Sequence, residues 1–362
     1  MPELTKYPAD QLREFCRLVF MDCGVLAQDA EQSADVLITA DLWGIDTHGV
    51  ARLSSYYGML SKGFVNPRPN IRVVREFAAT ATVDGDNGLG LIVGPRANEI
   101  AMAKAEEFGV GCVSVCNSSH FGIAGYYPNT ALARDLIGWA MTNTTPQVAP
   151  LWGAKKMLGT NPLAIAFPGY NEPPILIDLA TSAVSYGKIE HALRKSESIP
   201  EGWLLDSDGN STTQPEALGA GGSMRPLGAD RDHGGHKGYC LGAMIDLLCG
   251  VLSGANWGPF VPPFPYYLKS AEREVGKGIG HFFGALRIDG FIDPIEFKQR
   301  VDEWIQVLRA TPPAPGTQGP LIPGDPEREA LKIRQQEGIP LMPSIVSDLF
   351  NLSKQTGIPI VD

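Results

Sequence analysis

Three side chains suited to acid–base and anion-binding chemistry recur at four-residue spacing, His48, Arg52 and Tyr56, within Asp46-Thr47-His48-Gly49-Val50-Ala51-Arg52-Leu53-Ser54-Ser55-Tyr56-Tyr57. Four residues is a little over one helical turn. A helix capped by Thr47, running to about Leu60 and stopped by Gly63, would set these three on one stripe and Val50, Leu53, Tyr57 and Leu60 on another. An imidazole that titrates near neutral pH, a guanidinium that grips a carboxylate with two parallel bonds, and a phenol are what a small acidic substrate asks of a site. The same pattern also suits the solvated face of an amphipathic helix, so the remainder of the chain has to decide between the two.

Further polar clusters stand where strands give out. Gly111-Cys112-Val113-Ser114-Val115 reads as a buried strand, and it ends in Asn117-Ser118-Ser119-His120, where a loop can aim an imidazole. Asp178-Leu179-Ala180-Thr181-Ser182 follows the apolar strand Ile175-Leu176-Ile177 with a carboxylate and two hydroxyls, suited to a ribose or to a helix cap. Gly234-Gly235-His236-Lys237-Gly238 precedes a long apolar helix, where backbone amides and a lysine make a phosphate cradle.

Other chemistries find less support. The nearest approach to a dinucleotide fingerprint is Gly276-x-Gly278-x-Gly280, but Phe283 stands in the place of the third glycine and no helix pattern follows. No phosphate-loop or nucleophile-elbow motif occurs. Asp230, Asp232, His233 and His236 invite a metal, yet their spacing matches no ligand motif, and no metal site is assigned.

The elements that must position these residues are helical at both ends. Leu12 to Phe20 and Ala30 to Trp43 repeat apolar residues at helical intervals ahead of the His48 segment. Asn66-Pro67 and Pro69 then break the pattern, and short runs such as Ile71 to Val74 and Ala81 to Val83 follow. The middle is expected to hold a helix from Gly94 to Phe108, a helix from about Asn129 to Arg134, and strands at Ile137–Thr142, Leu163–Phe167 and Ile175–Asp178. A glycine-dense segment from Gly219 to Gly238, a helix from about Tyr239 to Leu252, an ordered proline-rich loop to Pro265 and a strand from Phe282 to Ile288 come next. Helices at Pro294–Leu308, Glu327–Gln336 and Ser344–Gln355 close the chain. This order predicts an α/β protein in which residues 1–80 and 290–362 build one helix-rich domain and residues 81–289 are inserted as another.

With 362 residues and 44% hydrophobic content the chain can bury a sizeable core. A net charge of -10 without any basic run speaks against nucleic acid and anionic membranes as partners. No signal sequence or membrane-length apolar stretch is evident, and six cysteines without a Cys-x-x-Cys pair suggest reduced thiols, so a cytoplasmic location is expected.

Taken together these segments resemble the malate/L-lactate dehydrogenase family of the second, non-Rossmann type, which includes ureidoglycolate, sulfolactate and diketogulonate dehydrogenases and cyclic-imine reductases. The resemblance rests on Asp46-Thr47-His48-Gly49 with Arg52 and Tyr56, on Ser118 to Gly122, and on Leu158-Gly159-Thr160-Asn161-Pro162-Leu163-Ala164. It continues through Asp178 to Ser182, His236-Lys237-Gly238-Tyr239, Asp246 to Gly254 and Ile322-Pro323-Gly324-Asp325. It implies a mixed-sheet cofactor domain inserted into a helix-rich domain, a homodimer, and NAD or NADP as cofactor. His48, Arg52 and His120 would carry catalysis, with Arg52, Tyr56, Thr160 and Asn161 around the substrate. The cofactor would meet His120, Asp178, Leu179, Ala180, Thr181, Ser182, His236, Lys237, Pro323, Gly324 and Asp325. Two departures stand out: Asp325 followed by Pro326 replaces the family's usual Glu, and Met224 to His233 is longer and more charged than usual. The expected reaction is reversible hydride transfer between NAD(P)H and a 2-oxo acid, with His48 favoured as acid over His120 and Arg52 holding the carboxylate. Alternatives are reduction of a cyclic imino acid, a metal-dependent hydrolase on Asp230, Asp232, His233 and His236, or a non-catalytic binding protein.

Overall fold

The computed structural model describes residues 4–268 and 273–360. The two ends of the chain are stitched together: β1 (Thr5–Tyr7) pairs antiparallel with β12 (Ile339–Leu341), Tyr7 opposite Ile339. Around this ribbon pack α1 (Ala9–Asp22), α2 (Ala27–Leu42), α3 (Leu53–Ser61), α9 (Asp325–Glu337) and α10 (Pro343–Thr356). Leu12, Phe15 and Phe20 from α1, Leu37 and Ile38 from α2, Leu53 and Met59 from α3, and Leu349 from α10 fill their common core.

The middle of the chain builds a seven-stranded sheet in the order β2-β3-β4-β11-β5-β6-β7. Its strands are β2 (Arg72–Phe77), β3 (Thr80–Asp84), β4 (Val110–Ser118), β5 (Leu136–Thr142), β6 (Leu163–Phe167), β7 (Ile175–Leu179) and β11 (Ile279–Arg287). β3 and β4 run parallel and the other neighbours antiparallel. β4 lies inside the sheet, between β3 and β11, where its β-branched Val113 and Val115 are fully buried. β11 lies between β4 and β5 with Gly284 opposite Trp139, where a Cβ would overlap the indole. α4 (Gly90–Phe108) covers β4 and β11, and α5 (Tyr126–Ala131) covers β5. A smaller unit follows β7: α6 (Tyr186–Lys195) and the three-stranded sheet β8 (Leu204–Leu205), β9 (Ser211–Thr212) and β10 (Ser223–Met224). α7 (Gly235–Asp246) then runs into a π-helical turn, Leu247–Val251, and α8 (Pro294–Arg309) packs Ile305 against Ile175 of β7 and Ile322. All six cysteines are free thiols.

Several expectations need correction. The single helix from Thr47 to Leu60 is two 3-10 turns, Asp46–His48 and Val50–Arg52, followed by α3. The reason is tertiary: the Asp41 carboxylate of α2 accepts a bond from the Val50 amide at 2.8 Å and occupies the space beside Gly49, which any Cβ would overlap. Thr47 caps nothing. α4 begins four residues earlier than expected because Leu91, Ile92 and Val93 are buried, and Pro95 is accommodated within it. The helix expected from Tyr239 begins at Gly235, and the glycine-dense segment before it contains β10. β1, β12, α6, β8 and β9 were not apparent from periodicity, being too short or too polar to show it.

Candidate active site

The His120 loop hangs from β4 and is braced from beneath by β11. His281, fully buried, bonds Ser118 Oγ through Nε2 and Thr142 Oγ1 through Nδ1, both at 2.8 Å, while Phe121 stacks on its ring at 4.8 Å. Burial pushes its pKa down to about 3, so it is a neutral strut rather than an acid. Ser119 Oγ accepts from the Gly90 amide at 3.0 Å and the Tyr127 hydroxyl donates to the Phe121 carbonyl, which anchors the loop on both sides.

His120 is thereby held with Nδ1 2.6 Å from the Tyr56 hydroxyl and 3.3 Å from the Gly122 amide. An amide N–H can only donate. Nδ1 is therefore the acceptor, and the imidazole proton sits on Nε2. Burial holds the pKa of His120 well below its ordinary value, with His48, Arg52 and His281 adding in the same direction. Tyr56 differs from its expected role. It is 0% exposed in the core beneath the loop, so its phenol meets His120 and presents nothing to a substrate.

The 3-10 turns bring the other two groups to the same place. The ring of His48 stacks on that of His120, centroids 5.5 Å apart, and its Nδ1 lies 2.8 Å from Thr47 Oγ1. Burial, followed by the Arg52 charge, pushes the pKa of His48 down to about 4. Arg52 is pinned by Nε, which donates to the Thr47 carbonyl at 2.6 Å, and neither Nη makes a hydrogen bond among the described residues. Phe264, from the proline-rich loop, stacks on His120 at 4.4 Å with the Arg52 guanidinium 6.0 Å from its ring. The Phe264 amide donates to Thr145 Oγ1 at 2.9 Å. A small cleft opens here, lined by His120, Thr144, Thr145, Phe264 and Ile279. α6 lies against the 3-10 turns: a Cβ on Gly187 would come within 2.5 Å of the Thr47 methyl, and Tyr186 feels the Arg52 charge.

Beneath this loop Asp41 is almost wholly buried, with Oδ1 unpartnered, and burial above all pushes its pKa from 3.8 up to about 8. The folded state thus holds a proton that the unfolded chain has released, so stability falls as pH climbs between those values. Asp41→Asn keeps an acceptor for Val50 and cannot ionise. Thermal melts are expected to show it gaining on wild type as pH rises toward about 8 and differing little near about pH 4; an equal gap at both ends would contradict this.

The residues expected around substrate and cofactor divide into those that face outward and those committed to the fold. Thr160 is half-buried, its hydroxyl 3.3 Å from that of Thr144. Asn161 is not available to a substrate: fully buried, it accepts from the Thr144 amide at 3.1 Å and donates to the Gly242 carbonyl at 3.0 Å. The hydroxyls of Thr181 and Ser182 are likewise directed inward, to the Thr160 and Asn161 carbonyls and to that of Val184. Asp178 accepts from the Gly125 amide through Oδ2 at 2.7 Å, and burial pushes its pKa up to about 6. Leu179 and Ala180 are half-buried beside it. Lys237 is exposed at the start of α7, and His236 faces Arg231. The Pro323 carbonyl accepts from the Leu176 amide at 3.1 Å, which brings the Pro323-Gly324-Asp325 turn alongside β7. Asp325 is occupied by Ile322, Arg309 and Arg328. Asp230 is engaged by the amide and Nδ1 of His233, and no cluster of three metal-ligating side chains occurs among the described residues.

A nicotinamide dinucleotide fits this donor set. The half-buried Thr144 hydroxyl in the His120 cleft and the Thr160 hydroxyl next to it suit a carboxamide, and the second Asp178 oxygen makes no hydrogen bond among the described residues and suits a ribose hydroxyl. Phe264, His281, Thr144, Thr145, Asp41 and Tyr186 were missed from sequence. For Thr144 and Thr145 a signal existed, since the polar Asn143-Thr144-Thr145 follows β5 as Ser119-His120 follows β4.

A family model described as malate/L-lactate dehydrogenase matches residues 7–350. The malate dehydrogenase of Pyrococcus horikoshii is 40% identical over 354 residues, covering 98% of this chain and 96% of the relative. The L-sulfolactate dehydrogenase of Methanocaldococcus jannaschii is 40% identical over 339 residues, 94% of each chain. The solved malate dehydrogenase of Pyrococcus horikoshii superposes with a TM-score of 0.90 at 37% identity, covering 99% of this chain and 97% of that one.

Proposed function

Because the chain belongs to the malate/L-lactate dehydrogenase family, we propose that it interconverts a small 2-oxo acid and the corresponding 2-hydroxy acid at the His48–Arg52–His120 cluster. The observation that carries this reading is the Arg52 guanidinium, fixed through Nε and with neither Nη hydrogen-bonded among the described residues, beside two stacked imidazoles. Its fork matches a carboxylate bidentately and orients the neighbouring carbonyl. A reduced nicotinamide, as NADH or NADPH, supplies the hydride when bound. Thr144, Thr160, Asp178, the backbone of Leu179 to Ser182, His236-Lys237 and the Pro323-Gly324-Asp325 turn would hold it.

His120 is the favoured proton donor, ahead of His48, since its Nε2 carries the proton while Nδ1 is held by Tyr56 and Gly122. Burial is the main cause of the low pKa of His120, with the His48 and Arg52 charges adding to it; a substrate carboxylate on Arg52 offsets the Arg52 contribution and so favours uptake of a proton together with the substrate. The Tyr56 hydroxyl can then turn from donor to acceptor for Nδ1–H. In the oxidative direction the base is the neutral tautomer with its proton on Nδ1, donated to the Tyr56 hydroxyl, which leaves Nε2 to accept the substrate's hydroxyl proton. The relatives named for malate and sulfolactate point to substrates with a second acid group.

The helix-rich ends, 1–80 and 290–362, would form the substrate-side and dimerisation body and 81–289 the cofactor-side one. A homodimer is part of the proposal: Met244, Leu247, Val251 and Leu252 form an exposed apolar stripe along α7 and its π turn, of the kind a second copy covers. No described helix is long and apolar enough to cross a membrane.

The test is oxidation of NADH and of NADPH, followed spectrophotometrically, against 2-oxo acids with and without a second acid group and against cyclic imino acids. Turnover is expected with a 2-oxo acid. Absence of oxidation with every compound, together with no cofactor binding by fluorescence, would remove the reading.

A further inference from the structure

A cavity of about 620 Å³ lies away from the imidazoles, between the small sheet and the loop that leads into α7. Trp203, Arg225 and Ser211 line it from the sheet, Glu201 lies beside them, and Asp230 and His233 come from the loop. Arg225 is the unexplained group. Its side chain is only 15% exposed, its Nε is buried without a partner, and no guanidinium hydrogen bond is made among the described residues. The nearest carboxylate, Asp230, stands 3.8 Å away and is already bonded by His233.

Two other buried polar atoms without partners lie next to it in the fold. They are Ser223 Oγ, two residues before Arg225, and Gln147 Oε1, whose own carbonyl accepts from the intervening Met224 at 2.8 Å. An arginine in this position is rigidly presented. Its amide donates to the Trp203 carbonyl at 3.0 Å and its carbonyl accepts from Ala183 at 2.9 Å. A largely buried guanidinium that makes no hydrogen bond among the described residues, with one carboxylate at 3.8 Å, is incompletely satisfied, and an anion with oxygens in a plane is its natural complement. The neighbouring tryptophan suits a heterocycle, and Glu201 and Ser211 suit ribose hydroxyls.

We propose that this cavity binds the phosphate-bearing part of a nucleotide, with Arg225 as the anion ligand. The nucleotide has two possible sources, the AMP half of the dinucleotide cofactor or a free nucleotide. The Ser182-Ala183 segment, which pairs with Pro226 and Arg225, makes the cavity continuous with the region proposed to hold the cofactor. The site does not rest on the dehydrogenase reading, because AMP carries no hydride and its binding is read without turnover.

The experiment is calorimetric titration of the full-length protein with 5′-AMP, using wild type, Arg225→Gln and Arg225→Lys, with thermal melts as folding controls. Wild type is expected to bind, Arg225→Gln to bind about tenfold more weakly or worse, and Arg225→Lys to fall between, since lysine keeps the charge and loses the fork. If the Gln variant does not fold, the Lys variant carries the comparison. No AMP binding by wild type at millimolar concentration, or equal affinity in the folded variants, overturns the proposal. Once Arg225-dependent binding is found, repeating the titration with saturating NADH separates the sources: displacement identifies the cofactor's AMP half, and undisturbed binding identifies a free nucleotide.

Discussion

Replacement of His120 by alanine is expected to lower the turnover number for 2-oxo acid reduction by about 10²- to 10⁴-fold, the usual worth of a positioned general acid, with little change in KM. The expectation follows from how the ring is held. Tyr56 and Gly122 both address Nδ1, so the cleft receives Nε2–H, and the anchored loop leaves the imidazole little freedom. His48→Ala should cost less, because among the described residues Thr47 is the one hydrogen-bond partner of that ring, and a hydroxyl that can donate or accept does not fix its tautomer. Steady-state kinetics of the two variants decide the assignment: a larger loss of turnover in His48→Ala would move the proton to His48. Tyr56→Phe should be intermediate, since it removes the hydroxyl that can accept Nδ1–H when the imidazolium forms.

Loss of Arg52 acts on binding and on pH dependence together. A bidentate pair contains two charge-assisted bonds of about 1.5–3 kcal/mol each, so Arg52→Ala is expected to reduce kcat/KM by about 10²- to 10⁴-fold, chiefly through KM. Arg52→Lys should recover part of this and not all, because an ammonium cannot present two parallel donors. The pH profile supplies an independent readout. Oxidation of the hydroxy acid needs a neutral imidazole, so kcat/KM falls as pH drops through the histidine pKa of the free enzyme. Burial first and Arg52 second hold His48 down at about 4, and burial, then His48, then Arg52 hold His120 well below its ordinary value. Removing the Arg52 charge should move the acid limb upward toward 6.5, the unshifted histidine value. An acid limb that stays in place would mean that neither imidazole is the base, and an unchanged KM would mean that another group holds the carboxylate.

Much of the candidate site was readable along the chain because its parts are local. β4 could be recognised from its β-branched run, and the histidine-bearing loop after it from the polar cluster. The neighbourhood of His48 and Arg52 was legible for the right residues and the wrong conformation. Four-residue spacing predicts one helix, and the actual 3-10 turns depend on a carboxylate from α2 that no local pattern announces. Tyr56, Asn161, Thr181 and Ser182 show the same limit in another form. Their types suit ligand binding, but their polar atoms are taken by His120, Thr144, Gly242, Thr160 and Val184.

By itself the sequence determined the residue chemistry, the strands and long helices, and the family, because period, capping and motif order are properties of neighbouring residues. Only the tertiary structure decided that His48 stacks on His120, that Phe264 lies against both His120 and Arg52, and which nitrogen of His120 carries the proton. Those outcomes depend on segments separated by 64 residues or more, such as Tyr56 and His120, brought together by burial of the cores. Burial is not directional along the chain, so it leaves no period to read, yet it sets both the distances and the dielectric that fix the imidazoles as neutral.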